Sequence, residues 1–261
     1  MLTLVPTPIG NLSDISKRAI EALDEADIIF CEDTRITKKL LNLLEISTNK
    51  DFISMHSHNE NEIISKLNIS IFDKNVVYVS DAGMPGISDP GSKLIQFAQK
   101  NNLSYDVIPG ANAVLTAFVA SGFEGDFTFF GFLPHKGKDR EKKLNDVINQ
   151  DKIAIIYESP HRIEKLLTEL KKTIPQREVF FAKELTKMYQ TFIKDKVENI
   201  NLKNTKGEWV VVIDKTQKND VLTLTYDDIL SLKLHPKEKA KLLSQISTKS
   251  TKEIYNELIN L

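Results

Sequence analysis

Apolar residues in the first half of the chain come in short, β-branched runs. Each run is separated from the next by a stretch with helical spacing. Residues 2–5, 26–31, 52–55, 75–79 and 105–108 read as strands. Between them, Ile15, Ala19, Ile20 and Leu23 share one helical face, with Ser13 and Asp14 as caps. The same spacing predicts helices at 36–44, 63–71, 92–100 and 114–120. Strand and helix in alternation, joined by short turns, predict a parallel, doubly wound sheet with helices on both faces. Past residue 121 the strands come closer together, at 127–134, 153–157, 178–182, 189–193 and 208–213, with helices at 142–148 and 163–171. That spacing predicts a mixed sheet. Residues 214–221 read as a polar linker, and 227–261 as short amphipathic helices, with an N-cap signature over 248–253. The expected organisation is an N-terminal α/β domain at 1–121, a C-terminal α/β domain at 122–219 and a small helical appendage at 220–261.

Glycine and proline mark the candidate site. Ser80 to Gly91 holds three glycines and two prolines, out of ten and nine in the whole chain. It follows a buried strand and precedes a helix, at the carboxyl end where open α/β sheets bind ligands. Three more strand ends carry unusual residues, at 6–10, 32–35 and 56–60. Carboxyl ends of one parallel sheet share an edge, so all four segments are expected to meet in one crevice. The first loop, Pro6-Thr7-Pro8-Ile9-Gly10, has one glycine and two prolines that lack an N–H. It cannot be the G-x-G-x-x-G cradle of a dinucleotide site, and a Walker loop is absent. A ligand with an adenosine but no phosphate, held by backbone groups and one carboxylate, fits better.

Charge narrows the picture only slightly. Lys and Arg total 35 and Asp and Glu 36, a net charge of −1, so any nucleic-acid surface must be a local patch. Lys136, Lys138, Arg140, Lys142 and Lys143 form one such patch after an aromatic strand. The single cysteine, Cys31, excludes an internal disulfide and points to a reducing compartment. With no signal peptide and no apolar run of membrane length, a cytoplasmic protein without a membrane partner is expected. His56 and His58 lie two apart but have no third ligand near, so no metal site is expected. Titratable residues gather at strand ends: Glu32, Asp33, Arg35, Asp81, Glu158, Arg162, Lys183, Glu184 and Lys187.

Eight motifs then occur in order: 5–12, Glu32-Asp33-Thr34-Arg35, His58-Asn59-Glu60, 80–91, Gly131-Phe132-Leu133-Pro134, 157–162, Glu184-Leu185-Thr186-Lys187 and Lys206-Gly207-Glu208. The set resembles the ribosomal RNA 2′-O-methyltransferase branch of the tetrapyrrole methylase superfamily. The resemblance covers about residues 1–213 and implies a two-domain tetrapyrrole-methylase-like fold. It implies S-adenosyl-L-methionine as methyl donor, a decoding-centre cytidine of 16S rRNA in the 30S subunit as substrate, and a homodimer. Carried over by motif, the donor-binding positions are Pro8, Asp81, Ala82, Gly83, Met84, Pro85, Gly110, Ala111, Asn112, Ala113, Tyr157, Glu158, Gly207, Glu208 and Trp209. Met84 and Gly86, and the pair Ala111-Asn112, depart from the usual pattern, and Asn112 is expected to add a hydrogen bond to the adenosine. Proton removal from the ribose is expected from Asp33, His56, Glu158 or Lys187. RNA contacts are expected from Arg35, His58, Lys136, Lys138, Arg140 and Arg162, with Lys187 a further phosphate candidate. Two rivals remain: a methylase of a small tetrapyrrole, and a non-catalytic RNA-binding protein using the lysine-rich appendage.

Overall fold

The computed structural model describes residues 1–216, 224–247 and 249–259. The first five strands are β1 (Leu2–Leu4), β2 (Ile28–Cys31), β3 (Asp51–Ser54), β4 (Val76–Val79) and β5 (Tyr105–Val107). They form one parallel sheet in the order β3-β2-β4-β1-β5, as the alternating pattern predicts. Every residue of β1, β2 and β4 is buried, because helices cover both faces of a parallel sheet. On one face, α1 (Lys17–Asp24) and α2 (Thr34–Leu43) bring Ala19, Leu23 and Leu41 against Ile29, Val77 and Val79. On the other, α4 (Ser92–Lys100) brings Leu94 and Ala98 against Leu4, Phe30 and Tyr78. The helix expected over 63–71 is instead α3 (Glu60–Ser65) followed by a separate 3₁₀ turn at Ile69–Asp73. The Asn68 side chain accepts from the Ser70 N–H and so starts a new turn rather than continuing the helix.

The second sheet is mixed, also as expected. It contains β6 (Phe127–Phe132), β7 (Ile153–Glu158), β8 (Glu178–Lys183), β9 (Thr191–Lys196) and β10 (Trp209–Ile213), in the order β6-β7-β10-β8-β9. Only β6 and β7 run parallel. The strand expected over 189–193 starts at Thr191, because the Gln190 side chain accepts from the Thr186 N–H and closes a turn first. α6 (Lys138–Ile148) and α7 (Ile163–Thr173) cover one face, where Leu144, Leu166 and Leu170 meet Ile156, Phe181 and Val211. The other face is covered by α5 (Ala113–Ser121), whose Val114 and Ala117 pack on Ile155, Val210 and Val212. A helix that follows the first sheet thus supplies the core of the second, and residues 1–215 form one compact unit.

Residues 216–261 form a second unit. It consists of α8 (Tyr226–Ser231), α9 (Pro236–Ile246) and α10 (Thr251–Ile259), packed around Ile229, Ala240, Leu243 and Ile254. The 219/220 boundary expected from sequence lies outside the described residues, as does Thr248 of the expected cap. Ser250 and Glu253 form a reciprocal side-chain-to-backbone pair at the start of α10. Among the described residues, no helix is long and apolar enough to cross a membrane.

Candidate functional site

β1 and β4 are neighbours, so the loops that leave them are neighbours too. Thr7 and Gly83 exchange two backbone hydrogen bonds of 3.0 Å, joining the first loop to the glycine-rich one. The Thr7 hydroxyl donates to the Ser80 carbonyl and the Ser80 hydroxyl to the Gly83 carbonyl. Gly83 is required here: its φ is +86°, and a Cβ would stand 3.0 Å from Ile9 Cγ2.

These loops floor a cavity of about 470 Å³. The glycine-rich loop supplies Asp81, Ala82, Gly83, Met84, Ile87, Ser88 and Asp89, and Glu32 enters from the end of β2. Asn112 and Ala113 come from the start of α5. The second sheet adds Phe132, Tyr157, Glu158, Ser159, Pro160, Leu185, Glu208, Trp209 and Val210, and Ile9 completes the wall. A cavity of this size, with apolar walls and a few polar groups, falls in the range of roughly 300–1,000 Å³ that holds small ligands.

The polar side of the cavity is acidic. Burial, reinforced by the charge of Asp89, pushes the Glu32 carboxyl up to about 7. Burial also raises Asp81 and Asp89. Glu32 Oε1 accepts from the Asp81 N–H at 3.2 Å, and Asp81 Oδ1 from the Asp33 N–H at 3.1 Å. The aromatic side is ordered by ring contacts. Tyr157 meets Phe129 and Phe132 edge-on at 4.9 and 5.4 Å, and burial pushes its hydroxyl up to about 12. Leu185 reaches the cavity from a backbone in which both neighbours, Glu184 and Thr186, take left-handed φ values of 51° and 63°. Glu184 Oε1 accepts the Glu208 N–H at 2.8 Å, which fixes this turn to the start of β10.

Of the donor positions expected from sequence, Asp81, Ala82, Gly83, Met84, Asn112, Ala113, Tyr157, Glu158, Glu208 and Trp209 line the cavity. Pro8, Pro85, Gly110, Ala111 and Gly207 do not. Asn112 Oδ1 is committed to the Leu115 N–H, capping α5. Not all four strand-end segments reach the cavity: 6–10, 32–35 and 80–91 contribute lining residues, whereas 56–60 touches the 80–91 loop without lining it. That segment instead buries Glu60, whose carboxylate accepts the Gly91 N–H and pairs with Lys93. His56 therefore lies off the lining, beside His58.

Several expected roles need correction. Arg140 is not an RNA-facing cation. Its guanidinium is 2% exposed, bonded through Nε to both oxygens of Glu169 and paired with Glu158 at 3.3 Å. Glu158 is not a free proton acceptor. Its carboxylate is wholly buried, with Oε2 on Arg140 and Oε1 on Arg162 and the Ser159 N–H. Arg162 is correspondingly engaged, donating also to the Leu133 carbonyl. Asp33 accepts from the Arg35 N–H to cap α2, and the Arg35 guanidinium holds its carboxyl down to about 2, too acidic for a base. Lys187 bridges Glu184 and Glu208 at 3.0 and 2.8 Å. Arg35, His58, Lys136 and Lys138 are exposed and lie outside the cavity. The sequence offers Glu32 as an acid or base candidate at a strand end expected to reach the crevice, but assigns no binding or catalytic position to Asp89 or Leu185. Asp89 is signalled by its place in the glycine-rich loop and Leu185 by the motif Glu184-Leu185-Thr186-Lys187.

Comparison with known proteins agrees with this geometry. The family model of the Tetrapyrrole (Corrin/Porphyrin) Methylases matches residues 1–201. The chain is 45% identical to "Ribosomal RNA small subunit methyltransferase I" of Campylobacter fetus subsp. fetus, covering 99% of this chain and 100% of that one. It is 38% identical to the Bacillus subtilis protein of the same name, over 85% of this chain and 77% of that one. Among solved structures, diphthine synthase superposes with a TM-score of 0.62 at 17% identity, covering 84% of this chain and 92% of that one. Thermus thermophilus uroporphyrin-III C-methyltransferase, complexed with S-adenyl homocysteine, gives 0.56 at 14%, covering 81% and 96%. A family model that matches 201 of the 261 residues, with relatives at 38–45% identity over most of the chain, shows that the chain belongs to the tetrapyrrole methylases.

Proposed function

We propose that the chain methylates small-subunit ribosomal RNA, using S-adenosyl-L-methionine to modify the ribose 2′-hydroxyl of a decoding-centre cytidine in 16S rRNA. The cavity carries this reading. Met84, Ile87, Leu185 and Val210 offer apolar walls, Phe132 and Tyr157 offer rings for a purine, and Glu32, Asp81 and Asp89 face a cationic donor with carboxylates. When bound, the donor supplies an electrophilic methyl group. The chain aligns the attacking oxygen with it and keeps water away, which supplies much of the rate of such a displacement. The names of the curated relatives support ribosomal RNA as the substrate. Exposed Lys136, Lys138 and His58 are the side chains we assign to RNA phosphates, with the 30S subunit in the cytoplasm as the form of the substrate. A homodimer is supported by α5, whose outer face leaves Leu115 52% and Val119 77% exposed.

Incubation with 30S subunits from cells lacking this protein, using a labelled donor and mass mapping of the RNA, tests the proposal. One methyl on one cytidine ribose is expected. No label in RNA, or label entering a tetrapyrrole offered in parallel, overturns it.

A further inference from the structure

We propose that Glu32 is the proton acceptor for the attacking hydroxyl, an assignment that rests on the methyl-transfer reading above. Five carboxylates line the cavity: Glu32, Asp81, Asp89, Glu158 and Glu208. Glu158 is locked between two arginines and Glu208 is paired with Lys187. Asp81 is anchored in the same way, with Oδ1 on the Asp33 N–H, but it sits on a loop and faces the Arg35 cation, which favours its charged form. Asp89 sits on an irregular loop, with no hydrogen bond fixing its carboxylate among the described residues. Glu32 combines what the role needs. It stands at the end of a fully buried strand, and Oε1 is anchored by the Asp81 N–H. Its Oε2 has no hydrogen-bond partner among the described residues. One oxygen holds the group still, and the other is left for a proton.

The surroundings suit that task. Asp81 and Asp89 face Glu32 from the loop after β4, and Tyr78 faces it from β4 itself, with a buried hydroxyl that has no hydrogen-bond partner among the described residues. Beside it in the chain, Asp33 and Arg35 are paired with each other. Burial and Asp89 bring the Glu32 carboxyl close to neutral pH, where a general base works best. The charges also balance. An O–CH₃ bond forms at the hydroxyl oxygen, and the S–CH₃ bond of the sulfonium breaks with its electron pair left on sulfur. The hydroxyl proton passes to Glu32. Before transfer the cavity holds a sulfonium and a carboxylate; afterwards it holds a thioether and a carboxylic acid. No uncompensated charge is created in a partly dry site.

The test compares wild type with Glu32→Gln, Glu32→Asp and Asp89→Asn on 30S subunits. Glu32→Gln is expected to lower kcat by about 10²–10⁴-fold, well beyond its effect on donor KM, and to remove the rise of kcat with pH. Glu32→Asp should restore part of the rate. Asp89→Asn should move the rise to lower pH. A second readout needs no turnover. S-adenosylmethionine and S-adenosylhomocysteine are titrated calorimetrically into the protein alone, near pH 7, in two buffers of different ionisation enthalpy. The cationic donor should release protons on binding, the uncharged product should not, and Glu32→Gln should abolish the release. Wild-type turnover and pH profile in Glu32→Gln, or donor binding without proton release in wild type, overturns the assignment while leaving methyl transfer intact. If Glu32→Gln fails to fold, absence of proton release in wild type still overturns the assignment, and a partial rate with a shifted pH profile in Glu32→Asp supports it. Absence of any donor binding would instead remove the methyl-transfer reading.

Discussion

Arg140 sits in a run of lysines, yet its charge is spent inside the protein, on Glu158 and Glu169. Removing it leaves the Glu158 carboxylate, wholly buried, with half its cationic support. Arg140→Ala should cost about 3–5 kcal/mol in urea unfolding, the usual penalty for breaking a buried pair. Glu32 is the opposite case, a carboxyl held above its ordinary value of 4.5 by burial. The folded state keeps its proton to higher pH than the unfolded chain does. Its contribution to stability is therefore full below pH 4.5 and declines until about pH 7. Thermal unfolding followed across that window should show a smaller decline for Glu32→Gln than for wild type. At this scale the sequence was least legible. The partners of Arg140 lie 18 and 29 residues further on, and nothing in a basic run distinguishes the one arginine that turns inward. Glu32 and Asp33 are adjacent acids, and only the position of Arg35 separates a cavity carboxyl from a helix cap.

Among the elements, α5 is apolar on all sides, which reads as a buried helix. One side does bury against the second sheet, while the other presents Leu115 and Val119. Its first turn is fixed by Asn112, whose side chain accepts the Leu115 N–H at 3.0 Å. Asn112→Ala should lower stability by about 1 kcal/mol in chemical denaturation, the ordinary cost of a lost N-cap. Since Asn112 also lines the cavity, the cap sets part of the wall. The inner strands β1, β2 and β4 were legible because burial on both faces leaves near-continuous apolar runs. β9 was less so. It is an edge strand, mostly exposed, ending in Lys194, Asp195 and Lys196, and its start is set by the Gln190 turn before it and its ladder with β8.

In the whole molecule, the cavity draws on both sheets, and three of four expected strand-end segments reach it. The convergence was foreseeable for the parallel sheet, whose carboxyl ends share an edge. For Leu185 the motif at 184–187 is visible, but not the left-handed backbone at Glu184 and Thr186 that carries the side chain to the cavity. The order of the second sheet has a further result. β10 lies between β7 and β8, although it comes last in the chain. A chain ended at residue 205 would leave the inner edges of both neighbours without partners. Limited proteolysis of such a fragment should cut within 153–183, while the intact protein resists there. During synthesis, β7 and β8 must wait for residues 209–213 before the gap between them can close. Those residues also bring Trp209 and Val210 to the cavity wall. Closing the sheet and completing the pocket are therefore one event, and a chain released early has neither.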